Sequence, residues 1–245
     1  MSAGAKRWAV LVTCEHGGND VPEWLADRFV DAEETLASHR GWDPGAMGMT
    51  KNLCASLGFS PAICSSTHFE AKTSRLVADL NRSEWSPALF SEFTRDLPAD
   101  QRDLILERHY RPYRQRVERT VRSDVDAGMR VAHISVHTFT PVLGAERRAF
   151  DAGILFDPAR EPEATIARRW IEALRAGEPA IDVRENQPYL GTDDGLTTHL
   201  RSVFDAAAYI GIEVEVRNDL VSEYDEEIAW GTRLAKTVVP VLAMG

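Results

Sequence analysis

The feature that most limits what this chain can fold into is a series of short, continuous apolar runs separated by polar turns and helical sequence. Trp8 to Cys14, WAVLVTC, is the first, with charge before it and Glu15-His16-Gly17-Gly18 after it. Similar runs recur at Ala62 to Cys64, Val131 to Val136, Gly153 to Phe156 and Ile210 to Val216. A short run without polar interruption reads as a strand covered on both faces, and strands alternating with helices assemble into a mostly parallel sheet. Helices are expected over Gly45 to Leu57, opened by Asp43-Pro44, over Ala99 to about Ala127, over Glu163 to Ala176 and over Glu226 to Val238. Pro112 should end or kink the second of them. Arg160 to Glu163 and Ala176 to Pro179 read as surface turns, and one α/β domain over residues 1–245 is the expectation.

Charge and composition remove several classes of function. The chain has 28 basic against 38 acidic residues, a formal charge of -10, which repels a phosphate backbone and argues against nucleic-acid binding. No stretch approaches the roughly 20 apolar residues of a membrane span, and MSAGAKRWAV lacks the apolar core of a signal peptide, so a cytoplasmic protein is expected. Cys14, Cys54 and Cys64 contain no C-x-x-C pair and read as buried thiols. Any metal must then be held by imidazole and carboxylate, a donor set that suits a catalytic zinc with an open position.

Ligands of open α/β sheets bind at the carboxyl ends of the strands. Four such ends carry unusual chemistry: Glu15-His16, Asp79 to Arg82, His137, and Glu215 with Arg217. His16 and His137 each sit at an expected strand end and are two candidate zinc ligands. Either one alone reads equally well as a hydrogen-bonded structural histidine. No glutamate lies three residues after His16, where Asn19 stands instead, so the third ligand is sought elsewhere. Asp43, in Gly41-Trp42-Asp43-Pro44-Gly45-Ala46, is the candidate, with a helix N-cap as its structural alternative. Glu215 is a carboxylate on an otherwise apolar strand, costly unless paired or functional, and is the candidate general base. Glu213, Glu215 and Arg217 share one face by alternation, which is either a functional face or the solvated side of an edge strand. Asn81 and Arg82 offer an amide and a planar guanidinium for a substrate carboxylate, with Arg217 as a further candidate contact. Arg75 is the candidate for polarising a carbonyl, and any of these arginines could instead form surface ion pairs. Tyr189 to His199 is a polar glycine loop suited to a lid or substrate wall.

Cys14-Glu15-His16-Gly17-Gly18-Asn19 with Val21-Pro22, Gly41 to Ala46, Asp79-Leu80-Asn81-Arg82 and Ser135-Val136-His137-Thr138 together resemble the N-formylglutamate amidohydrolase family. The resemblance extends to Glu215-Val216-Arg217-Asn218 and so covers most of the chain. It implies a three-layer sandwich around a mostly parallel, mixed central sheet, like that of the zinc exopeptidases and aspartoacylases. It further implies His16, Asp43 and His137 as zinc ligands, Glu215 as the base, Asn81 and Arg82 on the substrate carboxylate, and Arg75 near the carbonyl oxygen. The implied reaction is hydrolysis of the amide bond of a small carboxylate-bearing N-acyl substrate such as N-formylglutamate, a step of histidine catabolism. Two rival readings are a cell-wall or peptide amidase with the same metal site and a metal-free α/β module that captures a carboxylate. Oligomeric state is not legible.

Overall fold

A computed structural model describes residues 8–57 and 63–244. Ala62, the first residue of the second expected strand, and the residues before Trp8 in the opening segment lie outside the described part. Eight strands are described: β1 (Trp8–Cys14), β2 (Ile63–Glu70), β3 (Arg130–Phe139), β4 (Val142–Leu143), β5 (Glu146–Arg147), β6 (Ala152–Leu155), β7 (Val183–Glu185) and β8 (Tyr209–Arg217). The helices are α1 (Glu33–Ala37), α2 (Ala46–Leu57), α3 (Ala99–Ile105), α4 (Arg111–Asp126), α5 (Glu161–Gly177), α6 (Leu196–Val203) and α7 (Tyr224–Met244).

Six strands form the central sheet in the order β2-β1-β3-β8-β6-β7. Every neighbouring pair is parallel except β6 with β8, so the sheet is mixed and mostly parallel, as expected. The pair β4 and β5 makes a separate small hairpin. The expected strand near Cys64 runs on to Glu70, and β7 was not foreseen because its three residues are too few to set up a pattern.

Alternation along the strands builds the two cores. Val10, Val12, Ala132, Ile134, Val136, Ile210, Ile212, Val214 and Val216 face α2, α5 and α7 in one apolar cluster. Ala9, Leu11, Val131 and Tyr209 face α3, α4 and α6 in the other. The result is three layers, helix on sheet on helix. The second face is apolar only at the amino ends of the strands. Towards their carboxyl ends it turns polar, with Thr13, Glu15, His133, Ser135, His137, Glu213 and Glu215 all buried. Since β8 lies between β3 and β6, the edge-strand reading of its carboxylates is removed.

Two helix boundaries differ from expectation for clear reasons. α2 begins at Ala46, because Gly45 sits at φ +82°, a left-handed conformation that glycine alone adopts readily. α5 begins at Glu161 with Pro162 in its first turn, so the expected surface turn is helix start, and Glu163 is buried. At Pro112 the long helix neither stops nor breaks sharply: a π-helical turn at Leu106–Tyr110 joins α3 to α4 ahead of the proline.

Candidate active site

A cleft of about 140 Å³ opens at the carboxyl ends of β1, β3 and β8. His16 follows β1, Asp43 lies two residues before the left-handed Gly45, and His137 is near the end of β3. Chain direction and register bring these three distant residues together, and all are buried. His16 Nδ1 and His137 Nδ1 are 3.2 Å apart. Asp43 Oδ2 lies 2.9 Å from His137 Nδ1 and 3.5 Å from His16 Nδ1. Ligands about 2.0–2.1 Å from a tetrahedral cation stand about 3.3 Å from one another, so the triangle has the size of a metal-binding face.

The hydrogen bonds on the far side of each ring decide what this triangle can hold. His16 Nε2 donates to Asp79 Oδ1 at 2.6 Å. Ser135 donates its hydroxyl proton to Glu15 Oε2 at 2.7 Å, so its oxygen accepts from His137 Nε2 at 2.9 Å. With Nε2 so engaged, each imidazole presents Nδ1 to the Asp43 carboxylate, as a lone pair when an ion is bound; without one, a proton on His137 Nδ1 bonds Asp43 Oδ2 instead. Three potential donor atoms for a metal converge, and a divalent cation would take the place of the proton they share. The residues present fit a zinc ion, and among the described residues they are the group of this kind that the structure brings together.

The surrounding charges hold this arrangement. Burial works against ionising Asp43, but Arg75 and hydrogen bonds from His137 and His16 outweigh it and hold the carboxyl well below its usual range. Burial likewise opposes charge on Asp79 and Glu15, yet His16 holds Asp79 low and His137 holds Glu15 near about 2. His137 is pushed down by burial and pulled up further by Asp43 and Glu15, for a net rise.

Glu215 faces the same cleft and is 5% exposed. It pairs with His137 in the β3–β8 register, and its Oε2 has no hydrogen-bond partner. Burial, reinforced by Asp43 and Glu213 against the pull of His137, pushes its carboxyl up to about 8. Asn81 accepts the Leu196 N–H on Oδ1 at 2.7 Å, which turns its NH2 away from α6. Gly195 permits this approach, since a Cβ there would lie 2.9 Å from that oxygen. Arg82 lines the cleft and donates to the carbonyls of Asn81 and Asp194 at 2.8 and 3.0 Å. Arg75 also lines it, with Nη2 on Asp43 Oδ1 and a buried Nε that has no partner.

Arg217 is not brought to this group. It stands beyond the cleft, paired with Asp151 at 3.2 Å and Asp219 at 2.6 Å and bonded to the carbonyls of Ala149 and Phe150. The strand ends at Arg217, and its guanidinium braces the turn there rather than the cavity.

Sequence reasoning did not single out His39, which lines the cleft 3.4 Å from Asp43 Oδ1. Burial first, then the cations around it, push its imidazole down to about 4 against the pull of Asp43. Its one sequence signal is a position four residues before Asp43. Glu15, Ser135 and Asp79 were also not given roles, although each adjoins or alternates with a residue that was.

The match to the N-formylglutamate amidohydrolase family model spans residues 8–222. The gene product Atu2144 from Agrobacterium tumefaciens has a similar structure, with a TM-score of 0.82 and 27% identity over 98% of this chain and 92% of that one. An N-formylglutamate amidohydrolase from Ralstonia eutropha JMP134 aligns with a TM-score of 0.60 and 15% identity over 98% and 93%. A looser likeness, with a TM-score of 0.42 and 13% identity over 100% and 59%, is to a metallo-carboxypeptidase from Burkholderia cenocepacia. No curated protein matches the chain in sequence. The family match covers most of the residues, including every element that shapes the cleft, and the chain belongs to the N-formylglutamate amidohydrolase family.

Proposed function

We propose that the chain is a zinc-dependent hydrolase that cleaves the amide bond of a small N-acyl amino acid, with N-formylglutamate as the family's namesake substrate. The observation that carries this reading is the convergence of His16 Nδ1, His137 Nδ1 and Asp43 Oδ2 beside the Glu215 carboxylate, whose Oε2 has no hydrogen-bond partner. His16, Asp43 and His137 would hold the ion, and when bound it supplies Lewis-acid polarisation of the acyl carbonyl and of a hydrolytic water.

The chain's own groups account for the rest. The Asn81 amide and the Arg82 guanidinium hold the substrate carboxylate, which orients the scissile bond across the cleft. The unpartnered Nε of Arg75 is a donor for charge developing on the acyl oxygen. Glu215 accepts a proton from water as its oxygen adds to the acyl carbon. It then delivers that proton to the nitrogen as the C–N bond breaks, giving a carboxylic acid and a free amino acid. A buried carboxylate of raised pKa suits both halves of that transfer. A cleft of about 140 Å³ favours a small substrate over an extended peptide or glycan strand. A buried carboxylate with one oxygen left without a partner is costly and gains nothing in a metal-free binding module, which weighs against that rival.

The reading includes a cytoplasmic location. Among the described residues no helix is long and apolar enough to cross a membrane. The test is metal analysis of protein purified without chelator, together with an assay for formate released from N-formyl amino acids. One zinc per chain and activity lost to chelator and restored by zinc are expected. Chelator-insensitive hydrolysis would contradict the metal assignment.

A further inference from the structure

The loop of residues 186–195 forms one wall of the cleft, contributing Tyr189, Leu190, Asp193 and Asp194. It is pinned rather than poised to move. Asn186 Oδ1 accepts from Phe156 N and Gly191 N, both at 3.0 Å, and Arg201 Nη1 bonds the Gly191 carbonyl. Asp194 accepts from Ser83 N at 3.0 Å and Ser83 Oγ at 2.5 Å, and Asp193 accepts from Leu190 N at 3.0 Å. Gly191 lies so close to the end of β6 that a Cβ would meet Phe156 N at 2.1 Å. The expected loop over Tyr189 to His199 ends at Gly195, because Leu196 to His199 open α6, and of its two expected roles a fixed wall is the one these contacts support.

The sequence of this wall, NQPYLGTDDG, contains no cationic side chain. Across the cleft the fixed positive charges among the described lining residues are Arg75 and Arg82. Arg75 is bound to Asp43, which leaves Arg82 as the guanidinium for a substrate carboxylate. Arg148 lies behind the wall, buried at 4% exposure, stacked 5.1 Å from the Tyr189 ring centre and donating to its hydroxyl at 3.2 Å. It does not line the cleft. The remaining wall chemistry is the exposed aromatic ring of Tyr189, the exposed Leu190 and the carboxylate of Asp193, with Glu213 and Glu215 at the floor.

Resting on the hydrolase reading, we propose that the substrate is an N-acyl amino acid with a single carboxylate and a neutral or basic side chain, which lies along the Tyr189–Leu190–Asp193 wall. A glutamate side chain would bring a second negative charge to a wall with no cation to receive it and a fixed carboxylate facing it. Asp193 is exposed, so the repulsion is screened by solvent and discriminates by a few-fold rather than absolutely. A leucine or methionine side chain would instead cover Tyr189 and Leu190, and a lysine side chain would reach Asp193.

The experiment measures kcat/KM of the zinc-loaded protein for N-formyl-leucine, N-formyl-lysine and N-formyl-glutamate, with and without the change Asp193→Asn. The proposal expects the leucine and lysine substrates to exceed the glutamate one by about threefold or more, mainly through KM. Asp193→Asn should narrow the glutamate gap and weaken the lysine substrate. Glutamate turned over as well as leucine, or a gap indifferent to Asp193→Asn, overturns the proposal and leaves the hydrolase reading standing. Hydrolysis of none of the three by zinc-loaded protein takes down both.

Discussion

His137 on β3 and Glu215 on β8 stand opposite one another in the register of adjacent parallel strands, so their side chains leave the same face of the sheet side by side. The same alternation puts Val136 and Val214 into the apolar core on the other face. A one-residue slip of either strand would exchange these roles, and core packing therefore fixes the distance between Glu215 and the triangle of His16, Asp43 and His137.

That relationship separates catalysis from metal binding. Glu215→Gln keeps the shape of the side chain and removes its ability to take a proton. The variant should lose about 10² to 10⁴-fold in kcat while retaining its zinc. Steady-state kinetics alongside metal analysis checks this, and an active variant would remove Glu215 from the proton path.

The same substitution should alter stability with the opposite sign. In the metal-free folded chain burial holds the Glu215 carboxyl near about 8, while the unfolded group loses its proton near 4.5. Above about pH 5 the unfolded state has released a proton that the folded state keeps, so stability falls as pH rises towards 8. Glu215→Gln removes this loss, and its advantage over the parent should grow by up to about 1.4 kcal/mol per pH unit across that window. Urea unfolding of both metal-free proteins at pH 5, 6.5 and 8 reads the trend. Parallel stability curves would show that the carboxyl is not raised.

On the proposed reading, Asp79 and Glu15 would act on the zinc site by orienting His16 and, through Ser135, His137. Asp79→Asn weakens the acceptor that keeps the His16 proton on Nε2, and Glu15→Gln does so for His137 through Ser135. Each change should weaken zinc binding by about 10 to 100-fold with the fold intact. Competition against a chromophoric chelator measures the affinity. An unchanged value would mean that the rings are held by packing alone.

Gly45 offers a backbone test. With φ +82° and a Cβ that would meet the Val221 carbonyl oxygen at 2.5 Å, Gly45→Ala should cost roughly 1–3 kcal/mol. It should also weaken zinc binding, because Asp43 is two residues away on the same turn. Denaturation that leaves stability unchanged would contradict the strain argument.

Much of this was legible in the sequence because strands buried on both faces must be apolar, and their few polar positions then stand out. His16, His137 and Glu215 were found as exceptions at strand ends, and Asp43 through its glycine and proline neighbours. Arg217 satisfied the same alternation but lies past the cavity, where Asp151 and Asp219 hold its guanidinium. His39 was missed because nothing local marks it: only the chain path that brings its turn against Arg75 and Asp43 gives it a place in the cleft. β7 escaped for the related reason that three residues follow no period.

The central claim is a cation held by His16, Asp43 and His137, and anomalous diffraction at the zinc edge from crystals grown without chelator tests it most directly. The account predicts one strong peak within about 2.0–2.2 Å of His16 Nδ1, His137 Nδ1 and Asp43 Oδ2, facing Glu215. A protein that hydrolyses its substrate with no peak at that position, or with the peak elsewhere, would contradict it.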